Sequence, residues 1–494
     1  VRTTWSREGW RARLEALSIV PLVALMALMA LMATAALPAP AWAHGRLTRA
    51  VPAEGSRSSV APRELRLEFS EQPALAVSTV RLLASGGREI PLGALGYAAD
   101  SRRALVAPVA TVLAPGAYTV VWQMAGDDGH PVRGRYGFTV DPAAGAREAP
   151  VTPEAPRQVP TRALPGDDFG VSSPAYVAIR WLQYLGLLLA IGAVALRHIV
   201  LRVARDGRDL GAGVEPFGEP SFGEATLRAA ARAGALAAGL LAATTLARLY
   251  AQSRAMHGAA AAFDAGLLSS MLGRTAWGWG WLLEAAALLG AAAGFALAQR
   301  APRTPAYWRT AAVAVLALAL VPALSGHAMA APRFRTLTVA GDTVHVLAAG
   351  AWLGTLALLA LVAIPESMRT PVPRRAEALA LLVRAFTPIA LGCAALLALT
   401  GALAAWVHLG GVAELWTSRY GRTLLVKLAL VALVMLAGGY NWRRAAPALG
   451  GEGGVERLRR SARVELLLGA LVLLLTAVLV ATPSAVEALG GAGM

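Results

Sequence analysis

Eight long runs of Ala, Leu, Val and Gly leave this chain little choice of fold. They lie at residues 176–203, 226–250, 276–298, 310–330, 337–364, 386–407, 424–440 and 464–481. Each approaches or exceeds the roughly 20 residues that cross a bilayer as a helix. Within hydrocarbon the backbone must satisfy its own hydrogen bonds, which favours helices. The expectation is an all-α polytopic membrane bundle of about eight transmembrane helices over residues 173–494. With 56% apolar residues and a mean hydropathy of +0.53, the chain is too apolar for a soluble enzyme of this length.

A net charge of +16 invites a nucleic-acid reading, which its distribution excludes. The arginines fall between apolar runs, at Arg197, Arg202, Arg205 and Arg208, Arg300, Arg303 and Arg309, Arg369, Arg374 and Arg375, and Arg443, Arg444 and 457–463. They occupy alternate loops, the pattern of basic loops kept on the cytoplasmic side. The single cysteine, Cys393, allows no internal disulfide and no CxxC metal or redox motif.

The amino-terminal segment independently sets the same orientation. Arg2, Arg7, Arg11 and Arg13 precede an apolar run from Leu14 to Leu37, and Ala41 and Ala43 form the small-residue pattern of a secretory cleavage site. Residues 1–43 read as a signal peptide whose removal makes His44 the mature amino terminus. Its α-amine and Nδ1 then form a chelating nitrogen pair, suited to Cu(II) in a square-planar field. The protein is expected in the cytoplasmic (inner) membrane, with its N-terminal domain on the extracytoplasmic (periplasmic) side.

Residues 44–140 have a different texture. Leu65, Leu67 and Phe69 alternate with Arg66, Glu68 and Ser70, the period of a half-buried strand. Further strands are expected at 77–83, 104–109, 117–122 and 134–140, separated by turn signals such as Ser85, Gly86 and Gly87. This spacing suggests an all-β Greek-key sandwich or barrel, Ig-like in size. The loop Asp127, Asp128, Gly129, His130 and Pro131 can turn Asp128 and His130 to one side. With His44 they supply an amine, two imidazoles and a carboxylate, a set for Cu(II) more than Zn(II). The alternative is a solvated hairpin loop. Residues 141–172, with Pro142, Pro150, Pro153, Pro156, Pro160 and Pro165, read as a Pro/Ala-rich linker.

Several stretches resemble the CopC family of exported copper-binding proteins: His44 to Leu47, Val51 to Ser56, Leu65 to Glu71, Gly116 to Trp122, Asp128 to Gly134, and Phe138 to Val140. The resemblance implies Cu(II) held by His44, Asp128 and His130. Some members add a methionine-rich Cu(I) site; this domain has only Met124, so none is expected.

In the bundle, His257, His327 and His408 fall at the outer ends of helices, while His345 lies roughly 13 Å deep. Met256 beside His257, and Met329 near His327, offer thioether and imidazole ligands suited to Cu(I). Asp342 and His345 share a helix face at i, i+3. Ionisable groups in a membrane usually face a bundle interior or a water-filled path. Glu284, Asp342, His345 and Lys427 are such groups. Interhelical hydrogen bonding is the favoured role for Glu284 and Lys427, and small apolar packing the favoured role for Cys393. Ser325 to Ala328, Asp342 and His345 with Trp352 and Gly354, Thr400 and Gly401, Tyr420 to Lys427, Asn441 to Arg443, and Glu465 to Leu468 resemble the CopD family of copper-resistance membrane proteins. The whole resembles CopC–CopD fusions of the YcnJ type, a family associated with copper uptake and homeostasis.

The resulting expectation is copper capture at His44, Asp128 and His130. Transfer then runs along a membrane path of Met256, His257, His327, Met329, Asp342 and His345, with import through the bundle. The partners are the copper ion, the lipid bilayer and an extracytoplasmic copper chaperone. No Walker A run is present, and no enzymatic activity is expected. A membrane-anchored copper buffer or sensor is an open alternative, as is a haem-binding electron carrier with axial histidines.

Overall fold

The computed structural model describes residues 47–125, 131–142, 173–206, 220–324, 335–368, 372–409, 411–445 and 454–482. Nine strands lie among them: β1 (Leu47–Val51), β2 (Arg57–Ser58), β3 (Glu64–Phe69), β4 (Thr79–Ala84), β5 (Glu89–Ile90), β6 (Gly96–Ala98), β7 (Ser101–Pro108), β8 (Gly116–Ala125) and β9 (Pro131–Val140). They form two sheets, ordered β1-β3-β7-β6 and β2-β9-β8-β4-β5. Every pairing is antiparallel except β2 with β9. The expected alternation is realised in β3, where Leu65, Leu67 and Phe69 are buried between partly or fully exposed neighbours. They meet Leu82, Val120, Trp122 and Phe138 of the second sheet. The domain is thus a sandwich with a core of its own. Gly86 and Gly87 both take positive φ in the β4–β5 turn, a conformation that favours glycine.

One packing contact explains a glycine that the sequence alone does not. The Phe69 ring meets Trp122 edge-on, with centroids 5.2 Å apart, and Trp122 lies over its cross-strand partner Gly134. A Cβ at position 134 would come 2.4 Å from the indole. Gly134→Ala is therefore expected to destabilise the sandwich by about 1–3 kcal/mol, the range for overpacking. Urea unfolding followed by Trp fluorescence measures it; an unchanged midpoint would mean that the indole moves at no cost.

Beyond the β domain the described residues are mostly helical, with eight helices long and apolar enough to cross a membrane: Pro174–Val203, Gly223–His257, Trp277–Arg300, Pro305–Leu324, Thr336–Ser367, Ala378–Leu409, Arg419–Tyr440 and Gly454–Val480. Each overlaps one expected run, with ends displaced by up to ten residues, the eighth span beginning at Gly454 rather than Val464. Ser173, Thr275 and Ser418 cap the first, third and seventh helices by accepting from the backbone N–H of Tyr176, Gly278 and Gly421. The first and fifth spans are the most enclosed and the seventh the least. First and fifth cross closely because glycines face each other there. A Cβ on Gly354 would lie 1.9 Å from the Leu188 carbonyl oxygen, and one on Gly192 2.2 Å from the Gly354 backbone. This is small-residue packing between membrane helices. The fifth span is also interrupted by π-helical turns at Gly350–Gly354 and Leu359–Ala363, a distortion found often at functional sites.

Candidate metal centre and the polar layer beneath it

Strands β8 and β9 stay paired from Gly116 opposite Val140 to Ala125 opposite Pro131, the last residue of β8 against the first of β9. The three outer ligand candidates, His44, Asp128 and His130, lie outside the described residues. Their frame is described. Leu47, which opens β1, pairs with Phe69, and Phe69 packs on Trp122 three residues before the hairpin. The start of β1 and the β8–β9 hairpin thus share one end of the sandwich. Midway along β9, opposite Val120, the Tyr136 hydroxyl is buried without a hydrogen-bond partner among the described residues, and burial pushes its pKa up.

The hairpin end sits on the membrane bundle. Gln123 Nε2 donates to the Met256 carbonyl oxygen at 2.7 Å. Arg133 donates from Nε to Gln123 Oε1 at 2.7 Å and from Nη2 to the Ala255 carbonyl. Both carbonyls belong to the last turn of the second span, where helical acceptors have no partners of their own. A guanidinium there also faces the negative end of the helix dipole. Around these bonds, Val77 and Ala125 of the sandwich pack with Met256 and Met271. Met256 is enclosed in this seam, and His257 ends the same helix with Nδ1 3.4 Å from Ser253 Oγ.

Further in, six ionisable residues occupy one depth. Arg180, Arg248, Glu284, Asp342, His345 and Lys427 lie six to nine residues from the ends facing the β domain, roughly 9–14 Å along each helix. Glu284 accepts from Gln183 Nε2 at 2.8 Å, Thr245 Oγ1 at 3.1 Å and Arg248 Nη1 at 3.0 Å, tying the first three spans together. The Arg180 guanidinium lies 5.0 Å from the Tyr176 ring centroid. On the fifth span, His345 Nδ1 is 2.8 Å from Thr400 Oγ1. That hydroxyl already donates to the Leu396 carbonyl at 2.7 Å, so it accepts from Nδ1–H. His345 Nε2 then keeps its lone pair, the state of a metal ligand or proton acceptor. Lys427 lies within electrostatic reach of Asp342 and His345.

The sequence candidates are therefore split. Met256 and His257 lie at the seam, while Asp342 and His345 share a deeper site. His327 and Met329 lie outside the described residues. Among the described residues no three His, Cys, Asp or Glu side chains gather as a metal cluster. Cys393 is buried in the apolar core.

Residues 47–141 match the family described as CopC domain. Residues 171–333 match the copper resistance protein D-like, N-terminal domain, and 380–479 match copper resistance protein D. Over 463 residues the chain is 24% identical to the copper transport protein CutJ of Bacillus subtilis, spanning 91% of this chain and 76% of that protein. The chain belongs to the CopC–CopD copper-resistance family. Its β domain is 32% identical to the protein YobA of Escherichia coli over 99 residues, 20% of this chain and 80% of that one. Among solved structures, PcoC, a methionine-rich copper resistance protein from Escherichia coli, aligns at 30% identity over 20% of this chain and all of that one, with a TM-score of 0.19. In this CopC–CopD chain Met124 is fully buried in the sandwich core.

This CopC–CopD chain is a multi-pass membrane protein, and its polar interior is larger than the sequence reading foresaw. Arg248 was missed because the second helix runs on to His257 and carries it inside the span. Arg180 was missed because it follows the helix start by only six residues. Gln123 and Arg133 carry no local signal, since alternation marks them only as side chains outside the sandwich core.

Proposed function

We propose that the β domain captures Cu(II) through the His44 α-amine and imidazole, Asp128 and His130 on the extracytoplasmic face of the cytoplasmic membrane. The bundle then takes up the copper as cargo for import, a non-enzymatic role in copper homeostasis and resistance. The observation that carries this reading is the seam. The ends of β8 and β9 that flank Asp128 and His130 in sequence rest on the end of the second span through Gln123 and Arg133, and Met256 and His257 there offer the next ligands. His44 is three residues from Leu47, and Asp128 is three residues from Ala125. Each connection spans at most about 10 Å, so ligands from both can meet at the shared end of the sandwich. His345 Nε2, with Asp342, offers the following station, suited to Cu(I) or Cu(II) nitrogen–oxygen ligation.

The seam supplies a test. A Gln123→Leu, Arg133→Met protein keeps every proposed ligand but loses the bonds to the Met256 and Ala255 carbonyls. Its Cu(II) affinity is expected to stay at the wild-type level while copper uptake into proteoliposomes falls several-fold. Uptake equal to wild type would sink delivery through the seam.

A further inference from the structure

Glu465 forms a second polar centre, in the half of the bundle away from the β domain. It is only 3% exposed on the eighth span. Asn441 Nδ2 donates to its Oε2 at 2.9 Å, and the Trp352 indole lies within reach of the carboxyl group. A Cβ on Gly438 would stand 3.4 Å from Oε1, so the carboxyl group has little room to shift. Both partners occupy π-helical turns, Gly350–Gly354 and Asn441–Ala445, and such turns often mark working sites.

Its charge environment differs from those of the other two intramembrane carboxylates. Glu284 has Arg248, and Asp342 has Lys427 within reach. Among the described residues the polar side chains at Glu465 are the neutral Asn441 and Trp352. Arg443 and Arg444 on the segment after the seventh span, and Arg460 and Arg463 on its own helix, are all exposed. An isolated ionised carboxylate in this setting would be costly, so the group rests as the neutral acid. Its O–H then needs an acceptor, and Asn441 Oδ1 is buried without a partner among the described residues. Amide orientation is assigned from such networks. A half-turn of the Asn441 amide sets Oδ1 against the carboxyl O–H and turns Nδ2 to the position Oδ1 held, so Asn441 can face either form of the carboxyl group.

We infer that Glu465, held by Asn441 and Trp352, is a proton-carrying site of the bundle. The carboxyl group gives its proton to water when a copper ion arrives and regains one when the ion leaves. Only O–H bonds break and form, and the passing positive charge compensates the carboxylate. Trp352 follows His345 by seven residues on one helix, about two turns further in, which sets Glu465 next along the route. The coupling to copper rests on the transport reading above; the proton site does not.

Infrared spectroscopy of the full-length protein in lipid nanodiscs decides the proton site. At neutral pH and without copper, the wild type should show a protonated-carboxyl C=O stretch that shifts in D₂O. Glu465→Gln should lose it, and Asn441→Leu should move it to higher frequency. A wild type without the band, or a Glu465→Gln protein that keeps it, overturns the proposal. If Glu465→Gln does not fold, the Asn441→Leu spectrum decides, and an unmoved band counts against. In proteoliposomes with an internal pH dye, copper-driven proton movement should be lost in Glu465→Gln. Proton movement equal to wild type overturns the coupling. An absence of copper flux in the wild type instead sinks the transport reading, and the infrared result still decides the proton site.

Discussion

Glu284→Leu is expected to destabilise the bundle by about 3–5 kcal/mol, the cost of breaking a buried ion pair from one side. The loss is not that of a favourable contact alone. It comes from leaving the Arg248 guanidinium, 8% exposed, without its counter-charge. Gln183 and Thr245 also lose their acceptor, and each buried donor left unmade adds to the cost. Arg248→Met should be damaging as well, because it takes the counter-charge from the buried Glu284 carboxyl group. The double variant Glu284→Leu, Arg248→Met removes both charges and should recover much of the stability. Thermal unfolding of the four purified proteins in detergent forms the cycle. Recovery in the double variant assigns the pair to charge neutralisation between the second and third spans. A double variant as unstable as the worse single variant would mean that Glu284 acts chiefly through Gln183 and Thr245.

That pair also marks where sequence reading stopped. Glu284 was legible as an intramembrane carboxylate held by interhelical bonds, because an acidic residue inside an apolar run needs a partner. Its partner was not, because Arg248 lies near the expected helix end, where arginine is ordinary. The helix continues through Ala251–His257 because the β domain covers its last turn, and no local pattern encodes that cover. The strands divide in the same way. β3, β4, β7, β8 and β9 carry alternation long enough to read. β2 is two residues long, held by parallel pairing with β9, and β5 is equally short. Such strands exist because neighbours offer an edge, so their own residues say little. The eight spans were legible because the bilayer imposes length and composition directly. The proposed route between them rests on Thr400, Asn441 and Trp352, which the sequence marks only through the CopD resemblance and whose hydrogen-bonding roles come from what they face.

Adding one residue before a mature His44 is expected to weaken Cu(II) binding by the β domain by orders of magnitude. A free amino-terminal histidine brings two nitrogens to one ion as a chelate, so the second arrives at the high effective concentration of an intramolecular donor. Extension turns the α-amine into an amide with no lone pair to give at neutral pH. His130→Ala should also weaken binding, yet leave the chelate and its nitrogen signature in the EPR spectrum. The pH dependence separates the two losses. Ligand nitrogens must be deprotonated to bind, and reference values are about 6.5 for imidazole and about 7.7–8.0 for an α-amine. Wild-type affinity should therefore rise with pH through both ranges, whereas the extended protein should level off once its imidazoles are neutral. Because the sandwich has a core of its own, a protein of residues 44–142 can carry the measurement. Equal affinities and matching pH profiles for the native and extended forms would remove His44 from the centre. The hairpin ligands would then have to hold copper alone above the Met256–His257 seam, and the first step of the proposed route would lose its strongest donor.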